Sequence, residues 1–176
     1  MTKKYILYTI GHSNRTIEQF IELLKISNIK QVIDVRTIPK SGHNPQFNQN
    51  CLSKTLRNRH IGYRHMKLLG GLRHPLKNSL NIAWENSSFR GYADYMLTEE
   101  FEIGLEKLIV IAKKKISVIM CAEAVPWRCH RSLIGDMLLL RNFDVYDIIG
   151  KNSVRLHELT AWGRIVGKHI IYDKKS

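Results

Sequence analysis

The chain has 176 residues, 44% hydrophobic and 24% charged, enough for one globular domain with a substantial core and too few for two comfortable ones. Twenty-eight Lys and Arg against fifteen Asp and Glu leave a net charge of +13. That composition excludes a disordered chain, and the charge favours polyanionic or phosphorylated partners through long-range attraction.

The opening residues, MTKKYILYTIGHS, carry two lysines and an apolar run too short for a signal peptide or a membrane span. Cys51, Cys121 and Cys129 are an odd set with no disulfide framework, so reduced thiols in the cytoplasm are expected and a membrane is not. KYILYTI (4–10) reads as a buried strand ending at Gly11. In the next segment Thr16 and Gln19 make a capping-box pair, and Ile17, Phe20, Ile21 and Leu24 share one helical face, with Asn28 as the stop. QVIDV (31–35) is a second buried strand, and this β-α-β opening implies a right-handed crossover with parallel pairing.

Residues 37–50 are a polar loop, followed by a short helix in CLSKTLRNRH and a third strand around GYRHM. Residues 70–90 are the least regular stretch. GYADYMLTEEFEIGLEKLIVIAKKK then reads as one or two helices, with Thr98 capping the second, acids in its first turn and lysines at its close. ISVIMCA is a strand, RSLIGDMLLLR a helix, and DVYDIIG a final parallel strand. In the tail, RIVGKHIIYD is a hairpin turning at Gly167-Lys168, or an edge strand. The expectation is a single three-layer α/β domain over 1–176, with a mainly parallel sheet and helices on both faces.

Sheets of that kind bind ligands beyond the carboxyl ends of their strands. The first strand ends in His12 and Ser13, the second in Asp34 and Arg36, and the fourth in Cys121 and Glu123, so all should emerge along one rim. The segment VIMCAEAVPWRCHRSL (118–133) adds Arg128, Cys129, His130 and Arg131. Three chemistries compete there. In the first, Cys121 or Cys129 is a thiolate nucleophile, activated by neighbouring cations and a helix N-terminus. In the second, Asp34, Glu123, His12 and His130 do acid-base or electrostatic work. The third, a metal, is not expected, because a Cys-x7-Cys-His spacing matches no compact zinc motif and adjacent Cys129 and His130 rarely share one ion. Each has a structural counterpart: packed cysteines, an Asp34–Arg36 pair, a turn histidine at 12 and a salt-bridged Glu123.

Phe47, Phe89, Tyr92 and Tyr95 lie near basic residues and could stack bases, though helical spacing favours the core. The glycines of LGGLR (69–73) are assigned to a tight turn. From Cys51 to Arg90 there are eight Lys or Arg against the single acid Glu85, the footprint of a nucleic-acid binder or of a plain solvated surface.

Taken together, YTIGHSNRTIEQFIELL, VIDVRTIPKS, PQFN, LGG, GYADYM, MCAEAVPWRCHRSLIGDML and HELT resemble the domain-of-unknown-function 488 family over residues 8 to about 160. The chain departs from it mildly, with Ala161 where a proline is expected. The resemblance implies an α/β fold with a site near these motifs, and brings no reaction, substrate or cofactor with it. A looser similarity, to the rhodanese loop, implies Cys121 as the thiol and Arg131-Ser132 as the loop's end, although the loop is several residues longer here and contains a proline.

The preferred expectation is an enzyme acting on an anionic or phosphorylated small molecule. Arg36, Arg128, Arg131 and Ser13 bind the anion, Cys121 or Cys129 is the nucleophile, His12 or His130 carries the proton, and Asp34 and Glu123 assist. The rival is a basic nucleic-acid-binding protein whose loop arginines contact phosphate and whose cysteines are packing.

Overall fold

A computed structural model of the chain describes residues 4–174; residues 1–3 and 175–176, the extremes of the expected domain, lie outside the described residues. The apolar runs become β1 (Tyr5–Gly11), β2 (Gln31–Asp34), β4 (Ser117–Cys121) and β5 (Phe143–Gly150), with β3 at Gly62–His65. All five are parallel, in a six-stranded sheet ordered β3-β2-β4-β1-β5-β6. The first two strands are therefore parallel but not neighbours. β4 runs between them, pairing Gly11 with Cys121 on one side and Asp34 with Met120 on the other.

Helices follow from caps and periodicity. α1 (Ile17–Ile26) starts at Thr16 with the full capping box, and its Phe20, Ile21 and Leu24 are buried. α2 (Gln49–Arg57) buries Leu52 and Leu56. The long helical stretch divides into α3 (Ser87–Tyr95) and α4 (Glu99–Ala112), with Thr98 accepting from the Phe101 amide at the break. α5 (Arg131–Leu140) follows the cysteine-rich loop.

Side-chain alternation along the strands divides the core into two layers. Val32, Val118 and Met120 pack under α1 and α2, whereas Ile33, Val35 and Ile119 pack under α4 and α5. Each fully buried Leu, Ile or Phe contributes about 1.5–3 kcal/mol to this three-layer arrangement.

Two features at the C-terminal side differ from, or go beyond, the expectation. Ser153–Leu156 forms β6, antiparallel to β5 and closing one edge of the sheet. The tail takes the hairpin form: β7 (Gly163–Val166) pairs with β8 (His169–Tyr172) around Gly167, whose φ of +60° suits glycine.

Candidate functional site

Parallel strands deliver their carboxyl ends to one rim, and backbone hydrogen bonds lock the three ends together. The His12 amide donates to the Cys121 carbonyl at 2.9 Å, the Ser13 amide to Ala122 at 2.9 Å, and the Val35 amide to Met120 at 3.0 Å. The loop after β4 crosses directly over the end of β1. A Cβ on Gly11 would stand 1.6 Å from the Glu123 carbonyl oxygen, so the crossing requires glycine there.

The same alternation that layers the core sorts the polar residues into two groups. On the α1/α2 side, Asp34 is fully buried and accepts from Arg36 Nε at 2.9 Å and from its terminal nitrogen at 2.6 Å, a bidentate pair. The Tyr63 hydroxyl donates to Asp34 at 2.7 Å, and burial followed by the adjacent carboxylate pushes the phenol's pKa up. Arg36 also donates to the Phe47 carbonyl at 2.8 Å. The His12 ring stacks on Phe47 at 4.4 Å. Its Nδ1 lies 2.8 Å from the Ser13 carbonyl, which can only accept, so Nδ1 carries the proton and Nε2 accepts from Arg36 at 3.3 Å. Burial, aided by the Arg36 charge, holds the His12 pKa below its ordinary value. Asp34, Arg36 and His12 thus satisfy one another, and Asp34 and His12 do not line the neighbouring cleft.

On the α4/α5 side, Cys121, Cys129 and His130 converge, with the Nδ1 of His130 at 3.9 Å from Cys121 Sγ and 3.6 Å from Cys129 Sγ. His130 Nε2 donates to the Val35 carbonyl at 2.9 Å, which fixes the tautomer, and the ring meets Tyr92 edge-on at 4.8 Å. The two thiols are electrostatically unlike. Hydrogen bonding to Cys129 and then burial raise Cys121. Burial also acts to raise Cys129, but the Cys121 thiol, the Arg131 charge and the Arg131 amide at the start of α5 outweigh it and lower this thiol. The lowered thiol is the one at the helix N-terminus.

Arg131 is fully buried, and its guanidinium donates to the Glu123 carbonyl at 2.7 Å and the Ala124 carbonyl at 3.1 Å. It therefore ties the loop down and has little left for an anion. Ser13, half-buried at φ 51°, contributes its amide to the rim and does not line the cleft.

A cleft of about 440 Å³ opens above the thiols, within the range of small-ligand sites. Of the expected residues, Arg36, Cys121, Glu123, Arg128, Cys129 and His130 line it. Sequence reasoning missed Thr37, Ile38, Lys40, Leu72, Ser88 and Ala122, which also line it, and read Gly71 and Phe89, two further lining residues, as a turn glycine and a core aromatic. Lys40 stands four residues beyond Arg36 in VIDVRTIPKS, a signal that could have found it. The side chains of Lys40 and Arg128 are exposed and make no hydrogen bond or ion pair among the described residues, their backbone amides alone being bonded, to the Ile38 and Val125 carbonyls. The LGG glycines serve close approach rather than a turn. A Cβ on Gly71 would lie 2.5 Å from His130 Nδ1, and one on Gly70 2.5 Å from Thr37 Oγ1, while neither glycine has a positive φ.

Comparison with known proteins gives one match. Residues 16–138 fit the model of a protein family described as domain of unknown function DUF488. No curated protein and no solved structure matches the chain significantly.

Proposed function

The chain belongs to the DUF488 family, whose description assigns no reaction, and we propose that it is an enzyme that takes an anionic or phosphorylated substrate into the cleft and acts on it at the Cys121–Cys129–His130 cluster. The observation that carries this reading is the pairing of two uncommitted cations, Lys40 and Arg128, with a floor of two buried thiols and an oriented imidazole. Lys40 and Arg128 hold the anion, Arg36 adds positive potential at the edge, and the cluster meets the reacting atom. All three cysteines are free, which suits a reducing compartment such as the cytoplasm. No helix among the described residues is long and apolar enough to cross a membrane.

Titration of the protein with inorganic phosphate, sulfate and a panel of small phosphorylated compounds tests the reading. Binding is expected in the wild type, and Lys40→Ala with Arg128→Ala should weaken it by about tenfold or more, since each charged hydrogen bond is worth about 1.5–3 kcal/mol. An unchanged affinity in the double variant, or no binding of any of these anions, would overturn it.

A second reading has its own observation. Lys54, Arg57, Arg59, Arg64 and Lys67 are exposed along α2, β3 and the turn after it, at one edge of the sheet, with no ion pair among the described residues. Such an edge suits a nucleic-acid backbone. If about four phosphates are contacted there, log affinity should fall against log salt with a slope of about −4 for duplex DNA, and Arg57→Ala with Arg59→Ala should make the slope shallower by about two. Absence of binding to DNA and RNA at low salt removes this reading.

A further inference from the structure

We propose that Cys121, Cys129 and His130 form an open, three-ligand site for a zinc-class divalent ion, with the fourth position facing the cleft. The inference deepens the reading above, since it rests on that cluster being the reaction centre. It also reverses the expectation drawn from spacing: a Cys-x7-Cys-His string is no compact motif, but the fold closes the loop so that neighbours 129 and 130 point at one place.

Four observations converge. First, the two sulfurs and the His130 Nδ1 all lie within 4.8 Å of one another. A tetrahedral ion with metal–sulfur bonds of about 2.3 Å and metal–nitrogen bonds of about 2.0 Å separates its ligands by about 3.5–3.8 Å. The nitrogen–sulfur distances of 3.6 and 3.9 Å match that edge length and are long for a good hydrogen bond. Second, His130 gives its Nε2 proton to the Val35 carbonyl, so in the neutral ring the lone pair sits on Nδ1 and faces the sulfurs. A ligating histidine is oriented in this way by an outer partner. Third, Gly71 leaves room beside that nitrogen; any side chain there would begin 2.5 Å from it. Fourth, all three ligands line the cleft as well as its floor, so a bound ion would keep one position for water or a substrate oxygen. Three protein ligands and an open position distinguish catalytic from structural zinc sites, and two thiolates balance the charge of a divalent ion.

The position also fits the anion-binding rim. A Lewis acid at the floor and cations at the mouth would place opposite ends of a phosphorylated or carboxylated substrate, and the two buried thiols with the half-buried imidazole would cover the remaining faces.

The test is titration of the metal-freed full chain with cobalt(II), read by absorption. One equivalent per chain with a thiolate-to-cobalt charge-transfer band and tetrahedral ligand-field bands is expected. Cys129→Ser, Cys121→Ser and His130→Ala should each weaken binding by more than tenfold, and Cys51→Ser, an exposed thiol outside the cleft, should not. Gly71→Ala removes no ligand, so its expected loss of at least tenfold in affinity reports the space beside Nδ1. Two measurements on the wild type stand if the variants fail to fold: zinc(II) should raise the melting temperature and should protect two of the three cysteines from iodoacetamide. No charge-transfer band in the wild type, or a band that persists without Cys121 and Cys129, overturns the metal site. Phosphate binding that depends on Lys40 and Arg128 but persists without metal would leave the anion-binding cleft standing while the metal fails; cobalt binding without any anion binding would do the reverse.

Discussion

Replacing Asp34 with alanine is expected to cost about 3–5 kcal/mol, because it strands a buried guanidinium. Arg36 is 5% exposed and Asp34 not exposed at all. The carboxylate receives two donors from the Arg36 side chain, the Arg36 amide at 3.1 Å and the Tyr63 hydroxyl. Once it is gone, the guanidinium keeps only the Phe47 carbonyl and the His12 ring. For a chain of this length the loss corresponds to a fall in melting temperature of about 10 °C. Chemical denaturation of Asp34→Ala, Arg36→Met and the double variant separates the pair from its parts. The double variant should be more stable than Asp34→Ala alone, because it removes the uncompensated charge along with its partner. Simple additivity of the two single losses would show that no such penalty exists. Since Arg36 lines the cleft and Asp34 does not, a lowered phosphate affinity in Asp34→Ala would come through the displaced guanidinium.

That the strand ends gather along one rim was legible from the sequence, because parallel strands must point their carboxyl ends the same way. What the strings did not reveal was which residues share a face. Asp34 and Arg36 turn to the α1/α2 side while Val35, packed with Cys121 in the other core layer, turns to the opposite side, so the expected single constellation is two groups that meet only at the Arg36 edge of the cleft. The two-residue period of a strand contained that division.

Order within the sheet was less accessible. β4 enters between β1 and β2 from about a hundred residues along the chain, and nothing local in any of the three strands encodes its neighbour. β6 escaped because all four of its residues are exposed, so it lacks the buried-face alternation that marks a strand and is held by pairing with β5. The glycines at 70 and 71 look like turn residues in a string, and only the approach of Thr37 and His130 explains them.

The other polar cluster left a signal that went unused: Asp136 inside the apolar run LIGDML and Asp147 inside DVYDIIG are charges where burial is expected. Both are buried, and they converge on His157. The His157 Nε2 lies 2.9 Å from Asp136 and its Nδ1 3.1 Å from Asp147, while the Tyr172 hydroxyl donates to Asp136 at 2.8 Å. An imidazole between two carboxylates can satisfy both only as the doubly protonated cation.

This network should make stability fall steeply in alkali. Burial acts to lower the His157 pKa, but the hydrogen bonds and charges of Asp136 and Asp147 outweigh it and raise the value from 6.5 to about 9. The folded state therefore holds this proton more tightly than the unfolded chain. Its stabilisation is complete below pH 6.5 and is lost as pH rises through about 9; the interval is worth about 3 kcal/mol. Denaturant midpoints measured from pH 6 to pH 10 should decline across that window. His157→Gln should be less stable by about 3–5 kcal/mol at pH 6, because two carboxylates are left buried beside a neutral group, and its curve should lose most of the decline. Tyr172→Phe should keep the decline, since the tyrosine touches only Asp136 within the network. Parallel wild-type and His157→Gln curves would mean that the imidazole holds no extra proton between the two acids. The stakes extend to the cleft: Asp136 sits on α5, the helix whose first turn supplies Arg131 and follows Cys129 and His130, so alkaline loss of the His157 clamp should loosen the loop that carries them.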